Sequence, residues 1–133
     1  MLKLIIGVKG TGKTKQLIEM VNQSLDSTNG NVVCIEKGDK LRFDVKYQCR
    51  LIDTDEYSIS NAEQLYGFVA GILASNSDVT DLYIDSALKI CGDDLAAFDA
   101  LVEKTATLVS GIKCVVTLSL PVEKATDTIK KYL

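Results

Sequence analysis

The sequence predicts an α/β protein, a three-layer α/β/α sandwich around a mainly parallel sheet. Short, almost continuous apolar runs, as at residues 31–36 and 112–118, are typical of strands buried on both faces. Segments with apolar residues at helical spacing separate these runs, and such alternation produces a parallel sheet covered by helices. At 133 residues, 25% charged and 47% apolar, the chain is expected to form one domain over residues 1–133.

The first strand, helix and strand should form a βαβ unit. Residues 2–6 are apolar and predict a buried strand. A helix is expected over residues 13–25, because apolar residues recur there every three or four positions. It should end at the turn-forming residues 26–30, directly before the second strand at 31–36.

Residues 38–57 are less regular and are expected to form an excursion between the second strand and the next helix. Apolar and polar residues alternate over residues 41–47, which predicts a half-exposed edge strand. Residues 49–52 are candidates for another short strand, ahead of the acidic turn at 53–56.

The second half of the chain alternates helices and strands. Ser60 and Glu63 form a capping-box pattern before an apolar helical face at residues 65–73. Residues 80–84 predict the next strand, which ends at Asp85.

A last helix–strand–helix sequence completes the predicted fold. Residues 92–94 should open a helix that ends near Gly111. Residues 112–118 predict a fourth buried strand. Pro121 suits the first turn of a final helix that extends to about Tyr132.

One glycine-rich stretch lies between the first strand and the first helix. Residues 7–14 read Gly-Val-Lys-Gly-Thr-Gly-Lys-Thr and match G-x-x-x-x-G-K-T, a pattern that cradles phosphates. Gly7 ends the strand in a turn that a Cβ would crowd. Gly10 and Gly12 permit positive φ, which lets successive backbone N–H groups face an anion.

The polar residues of this stretch supply a charge and a metal ligand. Lys13 offers a cation to the β- and γ-phosphate oxygens, and Thr14 offers a hydroxyl to Mg²⁺ at the positive end of the following helix. The strand–loop–helix context favours phosphate binding over a glycine-rich turn that binds nothing. The predicted phosphate-binding residues are Gly7, Gly10, Thr11, Gly12, Lys13 and Thr14.

Acidic residues at strand ends should complete the site, because ligands of open parallel sheets bind beyond the carboxyl ends of the strands. Asp85 is expected to hold Mg²⁺ together with Thr14. Glu36 and Asp53 are the candidates for activating an attacking water, with Lys13 as the third catalytic residue. The structural alternatives are a turn-capping aspartate and solvated charges beside the strands.

Several other polar residues are secondary candidates. Thr117 and Ser119, at the end of the fourth predicted strand, are candidates for contacting the γ-phosphate, and Ser119 equally for capping the last helix. Arg42 and Arg50 are the only arginines, and either a finger toward the phosphates or a surface ion pair would explain them.

Composition and charge narrow the function classes. The formal net charge is −3 and the isoelectric point is near 4.9, so nucleic acid is not expected as the main partner. No apolar run reaches the roughly 18 residues of a membrane span, and the N-terminal strand does not resemble a signal peptide. We therefore expect a cytoplasmic protein. Four scattered cysteines without any histidine favour structural thiols over a zinc site.

The chain resembles P-loop NTPases, and residues 7–14 carry the specific part of this resemblance. The order of elements is similar to the RecA-like branch, in which a strand with a polar end lies between the P-loop strand and the strand with the metal-binding aspartate. The chain also resembles short bacterial P-loop proteins that are labelled twitching-motility ATPases, although it lacks the histidine motifs of pilus motors.

The resemblance implies binding and hydrolysis of Mg·ATP. RecA-like ATPases usually carry a glutamate directly after the metal-binding aspartate, whereas Ser86 follows Asp85 here, which indicates slow or partner-stimulated hydrolysis. Thymidine kinases are similar in their opening β-α-β unit, but the chain lacks ligands for their zinc-bearing lid. The absence of N-K-x-D and D-x-x-G elements favours ATP over GTP.

The expected function is therefore that of a Mg·ATP-binding P-loop protein with slow or partner-stimulated ATPase activity. One alternative is a nucleotide-dependent interaction module without turnover, which signals to a protein partner or a second copy of the chain through residues 38–57. Another is a small-substrate kinase related to thymidine kinases.

Overall fold

The computed structural model describes residues 1–133 and contains one sheet of five parallel strands. These are β1 (Leu2–Gly7), β2 (Asn31–Glu36), β3 (Arg50–Asp53), β4 (Val79–Ile84) and β5 (Lys113–Ser119). Their order across the sheet is β1-β5-β4-β2-β3, and every pairing is parallel. The predicted α/β class with a parallel sheet is confirmed.

Helices cover both faces of this sheet, as the predicted three-layer sandwich requires. They are α1 (Lys13–Ser27), α2 (Ala62–Ser75), α3 (Ala87–Ile90), α4 (Leu95–Leu108) and α5 (Asp127–Lys130), with 3₁₀ turns at Thr54–Tyr57 and Val122–Lys124. None of the helices has the length and apolar character needed to cross a membrane.

The core consists of two apolar clusters, one on each face of the sheet. Neighbouring strand residues point to opposite faces, so β2 contributes Val32 and Cys34 to the cluster under α1. Val33 and Ile35 belong to the cluster under α2 and α4. The continuous apolar run of β2 therefore follows from burial on both sides.

The expected edge strand at residues 41–47 is wrong. The Val45 N–H donates to the Leu41 carbonyl oxygen at 2.9 Å, as in one turn of a helix, and both side chains are buried in the α1 cluster. Phe43 and Tyr47 are 84% and 91% exposed. The alternation arose from two sets of residues interleaved at helical spacing, and β3 is the edge strand instead.

The N-terminus of α2 is capped one residue later than predicted. The Asn61 side chain accepts from the Gln64 N–H at 2.8 Å, and the Gln64 side-chain oxygen accepts from the Ser60 N–H at 2.8 Å. The cap is thus formed by Asn61 and Gln64, with Gln64 reaching back to the Ser60 N–H, rather than by Ser60 and Glu63.

The final helix is shorter than predicted and does not begin at Pro121. Pro121 is extended, with φ −58° and ψ 142°, and precedes only a 3₁₀ turn. The helix α5 starts after Thr126, whose hydroxyl accepts from the Ile129 N–H at 3.1 Å. This side-chain cap sets the start of the helix.

Candidate functional site

The loop between β1 and α1 depends on glycine at three positions. Gly10 and Gly12 have φ of +87° and +85°, the left-handed conformation that the sequence predicts for them. A Cβ at either would meet no atom within 4 Å, so the requirement there is conformational. At Gly7 it is steric, because a Cβ would lie 2.8 Å from Thr11 Oγ1.

This loop leaves a row of backbone donors without acceptors. None of the N–H groups of residues 10–14 donates a hydrogen bond within the protein. The side chains of the loop fold back on it, since Thr11 Oγ1 and Lys13 Nζ both donate to the Val8 carbonyl oxygen, at 2.8 and 2.9 Å. Free N–H groups and an ammonium group at a helix start are the donors that bind anions in proteins.

A largely buried carboxylate lies behind the loop. Thr14 Oγ1 donates to the two Asp85 carboxylate oxygens at 3.1 and 3.2 Å, although 71 residues separate them in sequence. Thr117 Oγ1, on β5, donates to Asp85 Oδ1 at 2.8 Å and accepts from the Ser86 N–H at 2.7 Å. Asp85 is therefore held between the start of α1 and the strand that lies beside β1.

Glu36, at the end of β2, turns toward the backbone of the following turn. Its side chain accepts from the N–H groups of Lys40 at 3.0 Å and Leu41 at 3.2 Å, and the residue is only 3% exposed. Burial raises the pKa of its carboxyl, the two backbone hydrogen bonds oppose this, and the charges of Asp85 and Asp53 add to the rise. The net pKa shift is upward.

Asp53, at the end of β3, has a similar position. Its Oδ1 accepts from the Gly38 N–H at 2.8 Å and from the Asp55 N–H at 2.9 Å. The neighbouring Lys37 forms an ion pair with Asp55 at 2.7 Å. The contacts of Asp53 and Glu36 hold the turn at residues 38–41, and their expected role in activating water stays a prediction.

The loop lines a cleft of about 740 Å³ at the carboxyl edge of the sheet, and this cleft is highly charged. Leu41 is its only apolar lining residue. Its cations are Lys9, Lys13, Lys15, Lys40 and Lys89, and its carboxylates are those of Asp85 and Asp93. The structure thus brings together the loop, Asp85 and lysines from two distant segments.

The remaining candidates are distributed unevenly around this cleft. Ser119 lines it, and Thr117 reaches it only through Asp85. Glu36 and Asp53 do not line it. Arg42 pairs with Asp39 at 3.1 Å on the surface.

Sequence reasoning missed the cleft residues Lys40, Lys89 and Asp93. Lys89 lies on α3, a helix of four residues that is too short to produce a periodic signal. Lys40 follows Gly38, whose φ of +92° turns the chain back over the sheet edge. Gly38, two residues after the strand-end Glu36, was the sign of this turn in the sequence.

The donors fit Mg²⁺ better than metals that need a full protein ligand set. No three histidine, cysteine, aspartate or glutamate side chains come together as a metal site. Thr14 and Asp85 offer oxygen atoms, and Mg²⁺ typically takes one or two protein ligands while water and phosphate oxygens supply the rest.

Comparison with known proteins adds no family to this description. No protein-family model matches the chain, and no curated protein matches it. The fold and the cleft define an α/β protein with a cationic, oxygen-lined site at the carboxyl edge of its sheet.

Proposed function

We propose that the protein binds Mg·ATP at residues 7–14 and hydrolyses it slowly or on stimulation by a partner, in the cytoplasm. The contact between Thr14 and Asp85 carries this proposal. It unites a hydroxyl at the start of α1 with a strand-end carboxylate, directly behind a loop with free N–H donors. A glycine-rich turn without a ligand has no need of this combination.

The proposal gives each part of the site a role. Lys13 and the N–H groups of residues 10–14 bind the phosphate oxygens. Thr14 and Asp85 hold Mg²⁺, which when bound neutralises charge that develops on the phosphates. Thr117 fixes the Asp85 carboxylate, because its hydroxyl bridges that carboxylate and the Ser86 N–H.

The order of strands supports the resemblance to RecA-like NTPases. β5 lies between β1, which precedes the loop, and β4, which precedes Asp85. Thr117 occupies this intervening strand, where the RecA-like branch carries a polar strand end. This arrangement of the sheet supports the proposal in addition to the pattern of residues 7–14.

The carboxylates near the cleft support slow hydrolysis of ATP, because none of them is well placed to activate a water molecule. Glu36 and Asp53 accept hydrogen bonds from backbone N–H groups. Asp85 accepts from three hydroxyls, those of Thr14, Thr117 and Ser86. The only other carboxylate that lines the cleft is that of Asp93, which is exposed. A water-activating base in a good position would have to come from a rearrangement or from a partner.

Calorimetric titration with ATP, with and without Mg²⁺, tests the proposal. Wild-type protein should bind Mg·ATP, and Lys13→Ala should weaken binding by about a hundredfold, because charge-assisted hydrogen bonds to phosphate are lost. Asp85→Asn should reduce the enhancement by Mg²⁺ by about tenfold. Lys3→Ala, at an exposed position of β1, is the control for loss of a cation.

Unchanged ATP affinity in Lys13→Ala, with the circular dichroism of the wild type, would refute phosphate binding at the loop. An unaltered effect of Mg²⁺ in Asp85→Asn would mean that another residue holds the metal. ADP formation that requires an added acceptor and releases no inorganic phosphate would instead indicate a kinase, because the phosphoryl group is then transferred to the acceptor.

One observation favours the interaction module as a second candidate. Lys40 and Leu41 line the cleft, and the same segment presents Phe43 and Tyr47 to solvent. A ligand that moves Lys40 would move these rings as well.

The chain contains no tryptophan, so Tyr47→Trp introduces a single reporter whose fluorescence should change on addition of Mg·ATP. Fluorescence that stays constant during ATP binding would exclude this signal.

A further inference from the structure

The cleft offers a nucleobase almost no apolar surface. Leu41 is the single hydrophobic residue among its 13 lining residues, and Leu41 itself is only 3% exposed. Small-molecule sites are usually lined by hydrophobic and aromatic side chains. No aromatic ring lines this cleft, so nothing in it could stack on a base.

The cations of the cleft, by contrast, exceed those of the loop alone. Lys9, Lys13 and Lys15 belong to the loop and the start of α1, whereas Lys40 comes from the turn after β2 and Lys89 from α3. None of the five lies within ion-pairing distance of a carboxylate. With only two aspartates facing them, they make the cleft positive in a protein whose net charge is −3.

Side-chain contacts hold the backbone of the Lys40 turn beside the cleft in the ligand-free protein. Glu36 accepts from the N–H groups of Lys40 and Leu41, and Asp53 accepts from the Gly38 N–H. Two carboxylates at the ends of neighbouring strands thus hold the backbone of this turn at the wall of the cleft. The Lys40 side chain, which is exposed and unpaired, stays available to a ligand.

We infer that the site recognises a polyphosphate chain rather than a base, and that Lys40 and Lys89 bind its phosphates together with the loop. This inference rests on the proposed function and names its ligand class. Nucleoside triphosphates of every base belong to that class, and inorganic tripolyphosphate is its simplest member. The absence of N-K-x-D and D-x-x-G elements led us to expect a preference for ATP over GTP. If no base is recognised, this chain by itself would not show that preference.

The first test is calorimetry with five separate ligands in Mg²⁺. ATP, GTP, CTP and UTP should bind with dissociation constants within about threefold of one another, because no base contact distinguishes them. Tripolyphosphate should bind within about tenfold of ATP. A preference of more than about tenfold for one base, or binding of the nucleotides without tripolyphosphate, would overturn the inference and leave the proposed function intact. Failure of all five ligands to bind would overturn both.

The second test assigns the two distant lysines. Lys40→Gln and Lys89→Gln should each weaken ATP and tripolyphosphate by the same factor, about threefold to tenfold, and should reduce the salt dependence of binding. Lys3→Gln, an equally exposed lysine outside the cleft, should leave both affinities unchanged. Wild-type affinity for tripolyphosphate in both variants would overturn the role of Lys40 and Lys89.

Discussion

Replacement of Glu36 by alanine separates the structural contacts of this residue from its predicted catalytic role. The substitution removes the acceptor of two backbone N–H groups, those of Lys40 and Leu41, at 3.0 and 3.2 Å. An unsatisfied buried N–H costs about 1–3 kcal/mol. The Leu41 N–H is buried and should lie high in this range, whereas water can reach that of Lys40.

A second effect partly offsets this loss of stability in Glu36→Ala. Burial raises the pKa of the Glu36 carboxyl, so the ionised side chain is held at a cost that the alanine variant does not have. We expect a net loss of about 2 kcal/mol in the free energy of unfolding. At a urea slope of about 2 kcal/mol per molar, the midpoint should fall by about 1 M.

Urea titration followed by circular dichroism measures this shift, with Glu19→Ala as the matched control. Glu19 is exposed on α1, and its replacement should change stability by no more than about 0.5 kcal/mol. If Glu36→Ala is as stable as Glu19→Ala and loses ATP turnover, Glu36 is a catalytic base and does not hold the turn.

Three further predictions follow from the same contacts. The folded-state pKa of Glu36 is raised, so the unfolded chain loses this proton at lower pH than the folded protein does. The stability of the wild type relative to Glu36→Gln should therefore decrease as pH rises from about 4 through the folded pKa. Urea titrations from pH 4 to 8 measure this difference in stability, and an increase with pH would contradict the predicted sign. Thr117→Val removes one hydrogen-bond donor to Asp85 and the acceptor of the Ser86 N–H, and should lower the free energy of unfolding by about 2 kcal/mol. Thermal denaturation measures this loss, and an unchanged midpoint would show that the Thr117 bridge is dispensable. Burial raises the pKa of Cys49 and Cys114 to about 12, that of Cys91 to about 11, and that of Cys34 well above its usual value. Ellman's reagent at pH 8 should therefore react about a hundredfold more slowly than with a free thiol until the protein is unfolded. Rapid reaction of the folded protein would refute the burial.

The parts of the fold that could be predicted from the sequence are those whose burial is continuous. β2 and β5 are covered on both faces, so their apolar runs are unbroken and their ends were placed within a residue or two. Residues 41–47 are covered by α1 on one side only. Their pattern therefore depended on a tertiary contact, the packing of Leu41 and Val45, that no local period could reveal.

The candidate site likewise has one part that could be predicted from the sequence and another that could not. Residues 7–14 are contiguous, so the spacing of Gly10, Gly12 and Lys13 carried the geometry of the loop within the sequence itself. Lys40 and Lys89 reach the cleft only because a turn and a four-residue helix happen to end at its wall. Their contribution depends on the parallel sheet, which places the ends of β2 and β4 beside the loop.

Three of the five strands end in carboxylates, and their partners decide which of them can serve a ligand. Glu36 and Asp53 accept from backbone N–H groups, which cannot turn away unless residues 38–41 unfold. Asp85 accepts from the hydroxyls of Thr14 and Thr117, and a hydroxyl can rotate to donate elsewhere. Asp85 can therefore exchange a protein contact for a metal ion at low cost, whereas the other two carboxylates cannot. Asp85, the exposed Asp93 and five lysines line the cleft, a set suited to holding phosphates and poorly suited to activating water.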